Sequence, residues 1–355
     1  MVKMALCVLM LLLTCVPTVL FAQTGSIKVG STTRTFIVYA PDGLPEHPAL
    51  VVSMHGLGGS GSQQRSMSGF DKVADKGKFV VVYPDGTFEM NGSKGWDITT
   101  NADVEFITAL IDTMAGRYAI DRNKVYASGF SMGGMMSYKL ICEVPERFAA
   151  IGPASGYPLF GANNCSPEVP VPVCHTHGTS DNIVPYSGLE DWMKKIVTAD
   201  GCPATSTKSD VSSSVQREYW GACDEGSEIV IYHFEGMGHG YPTSSRQQFS
   251  ASDTFWTFFE KHPRSAVGVR FSGGNSREKR SEPVRYCAGY ILLNENAGPG
   301  CIRMTDARGR AVATWRTKTP DAGRRSLPVG SLPAGVYFVK ASESSGNTVA
   351  TILIP

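Results

Sequence analysis

The chain has 355 residues, of which 42% are hydrophobic and 18% are charged, and its formal net charge is +1. Its length exceeds that of one ordinary domain, and residues 23–263 contain no basic cluster. Neither nucleic acid nor an anionic membrane surface is therefore indicated as a partner.

The N-terminus has the pattern of a secretory leader. Lys3 precedes an apolar run over residues 4–13, and a second apolar run covers residues 16–22. An apolar stretch this short, behind one positive charge, is typical of a signal peptide rather than of a membrane span. The apolar residues after Cys15 argue against lipid attachment there. We therefore expect residues 1–22 to be a signal peptide and the chain to be secreted.

A buried strand followed by a glycine-rich loop is predicted next. Residues 49–54 are apolar, and His55-Gly56-Leu57-Gly58-Gly59-Ser60-Gly61 follows them. A His-Gly loop after an early strand can supply one backbone N–H of an oxyanion hole, here predicted to be that of Leu57. The alternative is a phosphate-binding loop, but the Gly-Lys-Ser/Thr ending is missing. His55 is interpreted as a structural hydrogen-bonding residue beneath the loop.

Residues 80–83 predict a second strand, which ends at Pro84-Asp85-Gly86. Asp85 could be a catalytic carboxylate at a strand end, but Pro-Asp-Gly is ordinary turn chemistry. Trp96 lies in the loop beyond it. Two interpretations of Trp96 stay open: a ring that stacks on a sugar or phenolic group of a substrate, or a buried plug.

The segment Gly129-Phe130-Ser131-Met132-Gly133 lies between a predicted strand and a predicted helix. On such an elbow the serine hydroxyl is held clear of the sheet, and the glycines are needed because a Cβ would clash. We predict Ser131 as the nucleophile and the N–H of Met132 as the second oxyanion donor. The alternative is a glycine-rich helix start that Ser131 merely caps.

A carboxylate and a histidine pair come after this serine. Residues 171–177 predict a strand, so that Asp181 lies beyond its carboxyl end, where open α/β sheets place functional groups. His175 and His177 could suggest a metal site. Residues two apart in a strand simply share a face, however, and no ligand set accompanies them, so we predict no metal.

Residues 229–234 predict a further strand that leads into the glycine-rich loop 235–242, which carries His239. The chain order of Ser131, Asp181 and His239 is that of the nucleophile-elbow hydrolases. We expect His239 to take the Ser131 proton and return it to a leaving alcohol, while Asp181 fixes the histidine tautomer and stabilises the imidazolium.

Residues 34–262 resemble a group of secreted esterases. This group joins the feruloyl and acetylxylan esterases of carbohydrate esterase family one with extracellular polyhydroxybutyrate depolymerases. The resemblance rests on an ordered set of motifs at residues 35–41, 55–60, 80–86, 103–107, 129–136, 177–181 and 238–242. It implies an α/β-hydrolase, with a mostly parallel sheet flanked by helices, and a triad of Ser131, Asp181 and His239. No cofactor is implied.

The chain departs from the group after the catalytic histidine. Members often carry an aromatic residue directly after it, whereas Gly240 and then Tyr241 follow His239 here. The shape of the acyl pocket is thus left open; Tyr241 is predicted as a substrate contact, as is Trp96 in the stacking interpretation given above.

Disulfides are expected in an exported chain. The predicted pairs are Cys202–Cys223, Cys287–Cys301 and Cys142–Cys165. The first is implied by the resemblance, because the group has a disulfide loop ahead of the catalytic histidine. The second flanks a hairpin-like segment. For Cys142, pairing with Cys174 is the open alternative, although Cys174 also fits a small buried hydrophobe in an apolar strand.

The organisation of the chain changes near residue 262. A polar run over residues 272–283 predicts a solvated linker, and short alternating strands beyond it predict a small β-sandwich. The predicted division is a signal peptide at 1–22, an esterase domain at 23–263, a linker at 264–285 and a β-domain at 286–355.

The C-terminal region resembles the sorting domains that bacteria with type IX-like export append to secreted enzymes, through residues 305–310 and 332–339. This implies secretion machinery or a cell surface as its partner. A carbohydrate-binding module is the alternative, but the region has few aromatic residues to expose.

The resemblance as a whole implies a secreted serine carboxylesterase that removes feruloyl or acetyl groups from plant cell-wall xylan through an acyl-enzyme. The alternative enzyme is a polyhydroxybutyrate depolymerase. An alternative of another class is a catalytically inactive polysaccharide-binding protein, against which the intact order of loop, elbow, acid and histidine argues.

Overall fold

A computed structural model describes residues 22–159, 167, 169–244 and 249–264, and the C-terminal segments 284–287, 290–293, 301–306, 310–316, 325–328, 335–343 and 346–354. The predicted signal peptide up to residue 21 and most of the predicted linker lie outside these ranges. The chain divides into two compact units, residues 1–264 and 265–355.

The first unit alternates strands and helices along the chain. Its strands are β1 (Gln23–Val29), β2 (Thr32–Tyr39), β3 (Leu50–Met54), β4 (Val80–Pro84), β5 (Phe88–Met90), β6 (Ser93–Gly95), β7 (Val125–Phe130), β8 (Ala150–Ala154), β9 (Val173–Gly178), β10 (Thr207–Ser212), β11 (Val215–Trp220) and β12 (Ile229–Phe234). Its helices are α1 (Gly61–Ser68), α2 (Phe70–Gly77), α3 (Ala102–Tyr118), α4 (Met132–Glu143), α5 (Leu189–Ala199) and α6 (Ala251–Phe259).

Ten of these strands form one sheet in the order β1-β2-β4-β3-β7-β8-β9-β12-β11-β10. The six central strands, from β4 to β12, pair in parallel, and the strands at both edges pair antiparallel. Every residue of β3, β4, β8 and β9 is buried, as expected for parallel strands that are covered on both faces. The predicted α/β class with a mostly parallel central sheet is confirmed.

Helices cover both faces of this sheet. Phe106 of α3, Leu140 of α4 and Ile196 of α5 belong to one hydrophobic core. Phe70 of α2 and Phe255 of α6 belong to a second core. None of the helices that the structure describes is long and apolar enough to cross a membrane.

The topology brings four loops to one edge of the sheet. Because the central strands are parallel, the carboxyl ends of β3, β7, β9 and β12 lie at the same edge. The loops that leave these ends carry His55, Ser131, Asp181 and His239.

Two cysteine predictions can be compared with the structure. Cys202 and Cys223 form the predicted disulfide. Cys142 is disulfide-bonded, whereas Cys174 is a buried free thiol. The alternative pairing of Cys142 with Cys174 is therefore wrong: Cys174 is the small buried group that its apolar strand suggested. Cys165 lies outside the described residues, so the pairing of Cys142 with Cys165 stays a prediction.

The second unit contains only strands among its described residues. They are β13 (Val284–Cys287), β14 (Tyr290–Leu293), β15 (Cys301–Asp306), β16 (Ala311–Arg316), β17 (Arg325–Pro328), β18 (Gly335–Glu343) and β19 (Gly346–Ile354). They form two antiparallel sheets, in the orders β13-β14-β17 and β16-β15-β18-β19. The side chains of Cys287 and Cys301 lie outside the description, so their bridge stays a prediction.

Candidate active site

Ser131 lies on a sharp turn between β7 and α4. Its backbone has φ 54° and ψ −117°, a left-handed conformation that costs a non-glycine residue about 1–3 kcal/mol. A Cβ on Gly129 would overlap the carbonyl of Gly133, and a Cβ on Gly133 would overlap the carbonyl of Met54. The predicted reason for both glycines therefore holds: they let the strand, the turn and the helix approach closely.

Asp181 and His239 form a hydrogen-bonded pair. The His239 Nδ1 lies 2.8 Å from Asp181 Oδ2, and the Asp181 side chain has no exposed surface. The other carboxylate oxygen, Oδ1, accepts the backbone N–H groups of Ile183 at 3.0 Å and Val184 at 2.9 Å. An ionised carboxylate can only accept, so His239 donates from Nδ1. Its Nε2 is thereby left to take up a proton.

The loop of His239 is anchored beside the elbow. The ring of His239 lies 4.9 Å from the ring of Phe130, the residue that precedes Ser131. Ala154 and Ser155, at the end of β8, hold both segments. The carbonyl of Ala154 accepts the Ser131 N–H at 2.8 Å, and the Ser155 hydroxyl donates to the carbonyl of Gly240 at 2.8 Å.

Among the described residues, the Ser131 hydroxyl has no hydrogen-bond partner. In free enzymes the bond between nucleophile and base is often long, and it tightens when substrate binds. The imidazole of His239 is 17% exposed and Ser131 is half-buried, so solvent reaches both residues.

The glycine loop after β3 runs directly against Ser131. A Cβ on Gly56 would lie 3.3 Å from the Ser131 Cβ. The Gly58 N–H donates to the carbonyl of Lys94 on β6 at 2.7 Å, which fixes the loop. Met132 is the first residue of α4, and the first N–H groups of a helix have no partner within it. The side chains of Leu57 and Met132, the two predicted oxyanion residues, meet at Gly95, where a Cβ would contact both.

His55 supports this loop, as predicted from the sequence. Its Nε2 accepts the N–H of Gly86 at 2.9 Å, so Nδ1 carries the proton and donates to the carbonyl of Gly56 at 2.7 Å. Burial lowers the pKa of His55, which favours this neutral form.

Trp96 does not fit the predicted substrate contact. Its ring is fully buried, and its indole N–H donates to the carbonyl of His55 at 2.7 Å. The other interpretation, a buried plug, describes it: Trp96 holds the glycine loop from behind. Trp96 is buried because it directly follows the short hairpin of β5 and β6, which the sequence pattern did not reveal.

Tyr241 is also buried rather than open to substrate. Its hydroxyl lies 2.7 Å from that of Ser252, and its ring contacts Phe130 edge-on, with centroids 6.4 Å apart. Burial raises the pKa of Tyr241. This residue packs beneath the elbow, so the predicted substrate role does not fit the structure.

A buried ion pair that the sequence did not single out braces the loop around Trp96. Arg34 Nη2 lies 2.6 Å from Asp103 Oδ1, and Asp103 Oδ2 accepts the N–H of Asp97 at 2.6 Å.

Asp85 accepts the N–H of Gly61 and is structural, as its turn sequence indicated. Among the residues that the structure describes, no group of three His, Cys, Asp or Glu side chains could hold a metal ion.

Comparison with known proteins agrees with this architecture. The family described as phospholipase/carboxylesterase matches residues 36–218. A bifunctional acetylxylan esterase/xylanase of Neocallimastix patriciarum is 34% identical over 68% of this chain and 36% of its own length. A putative esterase of Nocardia uniformis subsp. tsuyamanensis is 32% identical over 46% of this chain and 49% of its own. The chain thus spans only about a third to a half of these two relatives.

A feruloyl esterase B of Talaromyces stipitatus is 26% identical over 68% of this chain and 78% of its own length. Among solved structures, an acetyl xylan esterase from Aspergillus awamori aligns with a TM-score of 0.53 at 19% identity. That alignment covers 67% of this chain and 99% of the other. At this identity the likeness concerns the fold alone.

Proposed function

Since the chain belongs to the phospholipase/carboxylesterase family, and is thus a carboxylic ester hydrolase, we propose that it is a serine carboxylesterase that cleaves feruloyl or acetyl esters of xylan through an acyl-enzyme. The observation that carries this proposal is the buried hydrogen bond between Asp181 and His239 beside the strained turn of Ser131. That arrangement supports a nucleophile, a base and an orienting acid in these three roles.

In the first half of the reaction, His239 Nε2 takes the proton of the Ser131 hydroxyl as its oxygen attacks the ester carbonyl carbon. The negative charge that develops on the carbonyl oxygen is stabilised by the N–H groups of Leu57 and Met132. The bond to the alcohol oxygen then breaks, and the alcohol leaves with the proton held by His239. The acyl group stays on Ser131.

In the second half, His239 takes a proton from water as the water oxygen attacks the acyl carbon. The same N–H pair stabilises the second oxyanion, and the acid leaves as Ser131 regains its proton from His239. Asp181 stabilises the imidazolium in both halves. Because its carboxylate is desolvated and held by two backbone N–H groups, it needs no reorganisation as the charge appears.

The choice of substrate class is supported by the relatives, whose names include acetylxylan and feruloyl esterases. Two exposed apolar side chains on the reactive loops also support an apolar acyl group. Leu57 is 45% exposed on the glycine loop, and Ile183 is 65% exposed two residues after Asp181. A 3-hydroxyacyl polyester is the alternative substrate that such a site could accept.

A substrate panel tests the proposal. Methyl ferulate, acetylated xylan, p-nitrophenyl acetate and a polyhydroxybutyrate film are each offered to the parent protein and to Ser131→Ala. We expect release of ferulate or acetate by the parent and none by the variant. Faster hydrolysis of the polyester film would favour the depolymerase. Binding to xylan by both proteins, without hydrolysis by either, would favour an inactive polysaccharide-binding protein.

Export and attachment form a separate part of the proposal. We propose that residues 1–22 direct secretion and that residues 286–355 serve sorting or attachment at a cell surface. Mass spectrometry of the N-terminus of the exported protein tests the first point. Cell fractionation of a chain ending at residue 264 tests the second: we expect this shorter chain to be missing from the cell surface. Equal surface amounts of both chains would contradict it.

A further inference from the structure

A chain of buried hydrogen bonds leads from helix α4 towards the carboxylate of Asp181. Its members, Tyr138, His175 and His177, are fully buried. The Tyr138 hydroxyl lies 3.0 Å from His175 Nδ1, and His175 Nε2 lies 3.0 Å from His177 Nδ1. The two imidazoles stack with centroids 5.3 Å apart, because residues two apart on β9 share a face. The chain is therefore continuous from α4 to His177.

The last bond of this chain sets the direction of the others. His177 Nε2 lies 2.9 Å from the carbonyl oxygen of Val184, which can only accept, so Nε2 carries a proton. Burial lowers the pKa of both histidines, so both rings are neutral. His177 Nδ1 then accepts from His175 Nε2, and His175 Nδ1 accepts from the Tyr138 hydroxyl. Each ring is held as its Nε2–H tautomer.

The Nε2 atom of His177 also lies close to the candidate acid. His177 Nε2 lies 3.4 Å from Asp181 Oδ2, the oxygen that accepts from His239. In addition, the carbonyl that binds His177 belongs to Val184, whose own N–H donates to Asp181 Oδ1. His177 thus acts on the carboxylate chiefly by fixing the backbone that binds Oδ1, and in addition through the partial positive charge of its Nε2–H group near Oδ2.

We propose that His177 is a positioning residue of the esterase reaction, which keeps Oδ2 of Asp181 directed at His239. The inference rests on the proposed function, in which Asp181 orients His239. His175 and Tyr138 contribute by locking the tautomer of His177. A metal-binding role for the two strand histidines does not fit, because all four of their ring nitrogens are engaged in hydrogen bonds.

The environment of His177 indicates that its ring does not titrate near neutral pH. The titratable groups that face it are Asp181, His175, His233, His239, Tyr157 and Tyr186. Desolvation lowers the pKa of His177, and this effect outweighs the nearby charge of Asp181, which raises it. We therefore expect one neutral tautomer above the ordinary imidazole pKa of about 6.5.

Kinetics of two His177 variants test the positioning role. In His177→Phe the ring volume remains but the donor is lost, whereas the amide N–H of His177→Gln can replace the donor. For p-nitrophenyl acetate we expect kcat to fall about ten- to a hundred-fold in His177→Phe, with KM within about twofold, since a displaced catalytic group costs up to about 10²-fold. His177→Gln should recover part of this loss. A folded His177→Phe with the parental kcat would overturn the proposal.

His233→Phe is the matched control for these variants. His233 stands opposite His177 on the neighbouring strand β12, but its ring bonds Tyr186 and Glu218 rather than Asp181. We expect His233→Phe to keep kcat within about threefold of the parent, because the His233 ring hydrogen-bonds none of the three candidate triad residues. A loss of kcat as large as that of His177→Phe would indicate a general response of the sheet and overturn the proposal.

A spectroscopic measurement requires no activity, and its first part, on the parent protein, requires no variant. Ring ¹⁵N shifts should show His177 protonated at Nε2 and not at Nδ1. The deshielded Nδ1 proton of His239 should shift upfield or vanish in His177→Phe. A His177 ring protonated at Nδ1 would overturn the proposal. A parent that hydrolyses no ester would contradict the proposed function alone, since the ring tautomers would still decide the positioning role.

Discussion

Ser155 donates a hydrogen bond of 2.8 Å to the carbonyl oxygen of Gly240, and this bond fastens the loop of the candidate base to the strand beside the elbow. Ser155 is fully buried, so no water can replace its hydroxyl. We expect Ser155→Ala to lower the unfolding free energy by about 1 kcal/mol and to reduce kcat by displacing His239. Urea denaturation and steady-state kinetics on p-nitrophenyl acetate check both effects.

Ser128→Ala is the matched control for this change. The Ser128 hydroxyl is equally buried and donates to the carbonyl of Gly152 at 2.8 Å, which joins β7 to β8; its other contact is with the Tyr241 hydroxyl rather than with the backbone beside His239. Loss of the Ser128 hydroxyl should lower the unfolding free energy by about as much as loss of the Ser155 hydroxyl, and it should leave kcat unchanged. If both variants lose kcat alike, the anchor between Ser155 and Gly240 has no specific role.

Asp181→Asn tests the orienting acid. The amide can accept the backbone N–H groups as before, but it lacks the charge that holds His239 in the productive tautomer. We expect kcat to fall by about 10³- to 10⁴-fold, as in the corresponding serine protease variant. Asp85→Asn, which also alters a carboxylate that accepts a backbone N–H, should retain most activity. A near-parental rate in Asp181→Asn would move the acid role to another residue.

Trp96→Phe distinguishes loop support from substrate stacking. Loss of the indole N–H frees the carbonyl of His55, so the glycine loop becomes less well fixed. We expect a lower kcat for both p-nitrophenyl acetate and methyl ferulate, with little change in either KM. A rise in KM for methyl ferulate alone would instead indicate ring stacking on the substrate.

The elbow glycine and a helix glycine should respond to alanine in opposite ways. A Cβ on Gly133 would overlap the carbonyl of Met54, so Gly133→Ala should cost about 1–3 kcal/mol and most of the activity. Gly116 lies within α3, and a Cβ there meets nothing within 4 Å. Gly116→Ala should therefore stabilise the protein by about 0.5–1 kcal/mol. Thermal unfolding of both variants checks the contrast.

Stability should fall as the solution becomes acidic. Burial lowers the pKa of His55, His175 and His177 below the ordinary value of 6.5. Below that value the unfolded chain takes up protons that the folded protein does not, so the unfolding free energy decreases by at most about 1.4 kcal/mol per pH unit for each such histidine. This contribution is fully present above about pH 6.5 and is lost as the pH falls towards the folded pKa values.

Urea denaturation between about pH 7.5 and pH 5 measures this dependence. His175→Phe should reduce the slope of the unfolding free energy against pH, because one buried histidine is removed. His47→Gln should not, because the imidazole of His47 is 65% exposed. A slope that is equal in His175→Phe and in the parent would show that this ring is not the source of the acid sensitivity.

Local sequence was sufficient to predict the elbow and the strands that carry the reactive loops. Apolar runs predicted β3, β4, β9 and β12, and glycines around Ser131 predicted its turn. The short strand β8, Ala-Ile-Gly-Pro-Ala, gave no such signal, because alanine, glycine and proline disfavour strands. The polar strand β10, exposed at every residue, was likewise not recognised.

Side-chain environments depended instead on contacts between distant parts of the chain. The burial of Trp96 follows from the β5–β6 hairpin, and that of Tyr241 from its packing against α6 and Phe130. The link between His177 and Asp181 follows from the turn that brings Val184 back over β9. A residue pattern alone does not reveal such contacts, because each contact forms only when the sheet has folded.

The separation of sheet and loops has a consequence for enzyme engineering. The candidate reacting groups lie on loops that leave the ends of buried parallel strands, whereas the side chains of Leu57 and Ile183 on the same loops project into solvent. Under the proposed function, we expect that exchanging these two side chains changes the acyl preference without altering the buried strands beneath them. A small library at both positions would sample new ester selectivities in a scaffold whose folding it leaves almost untouched.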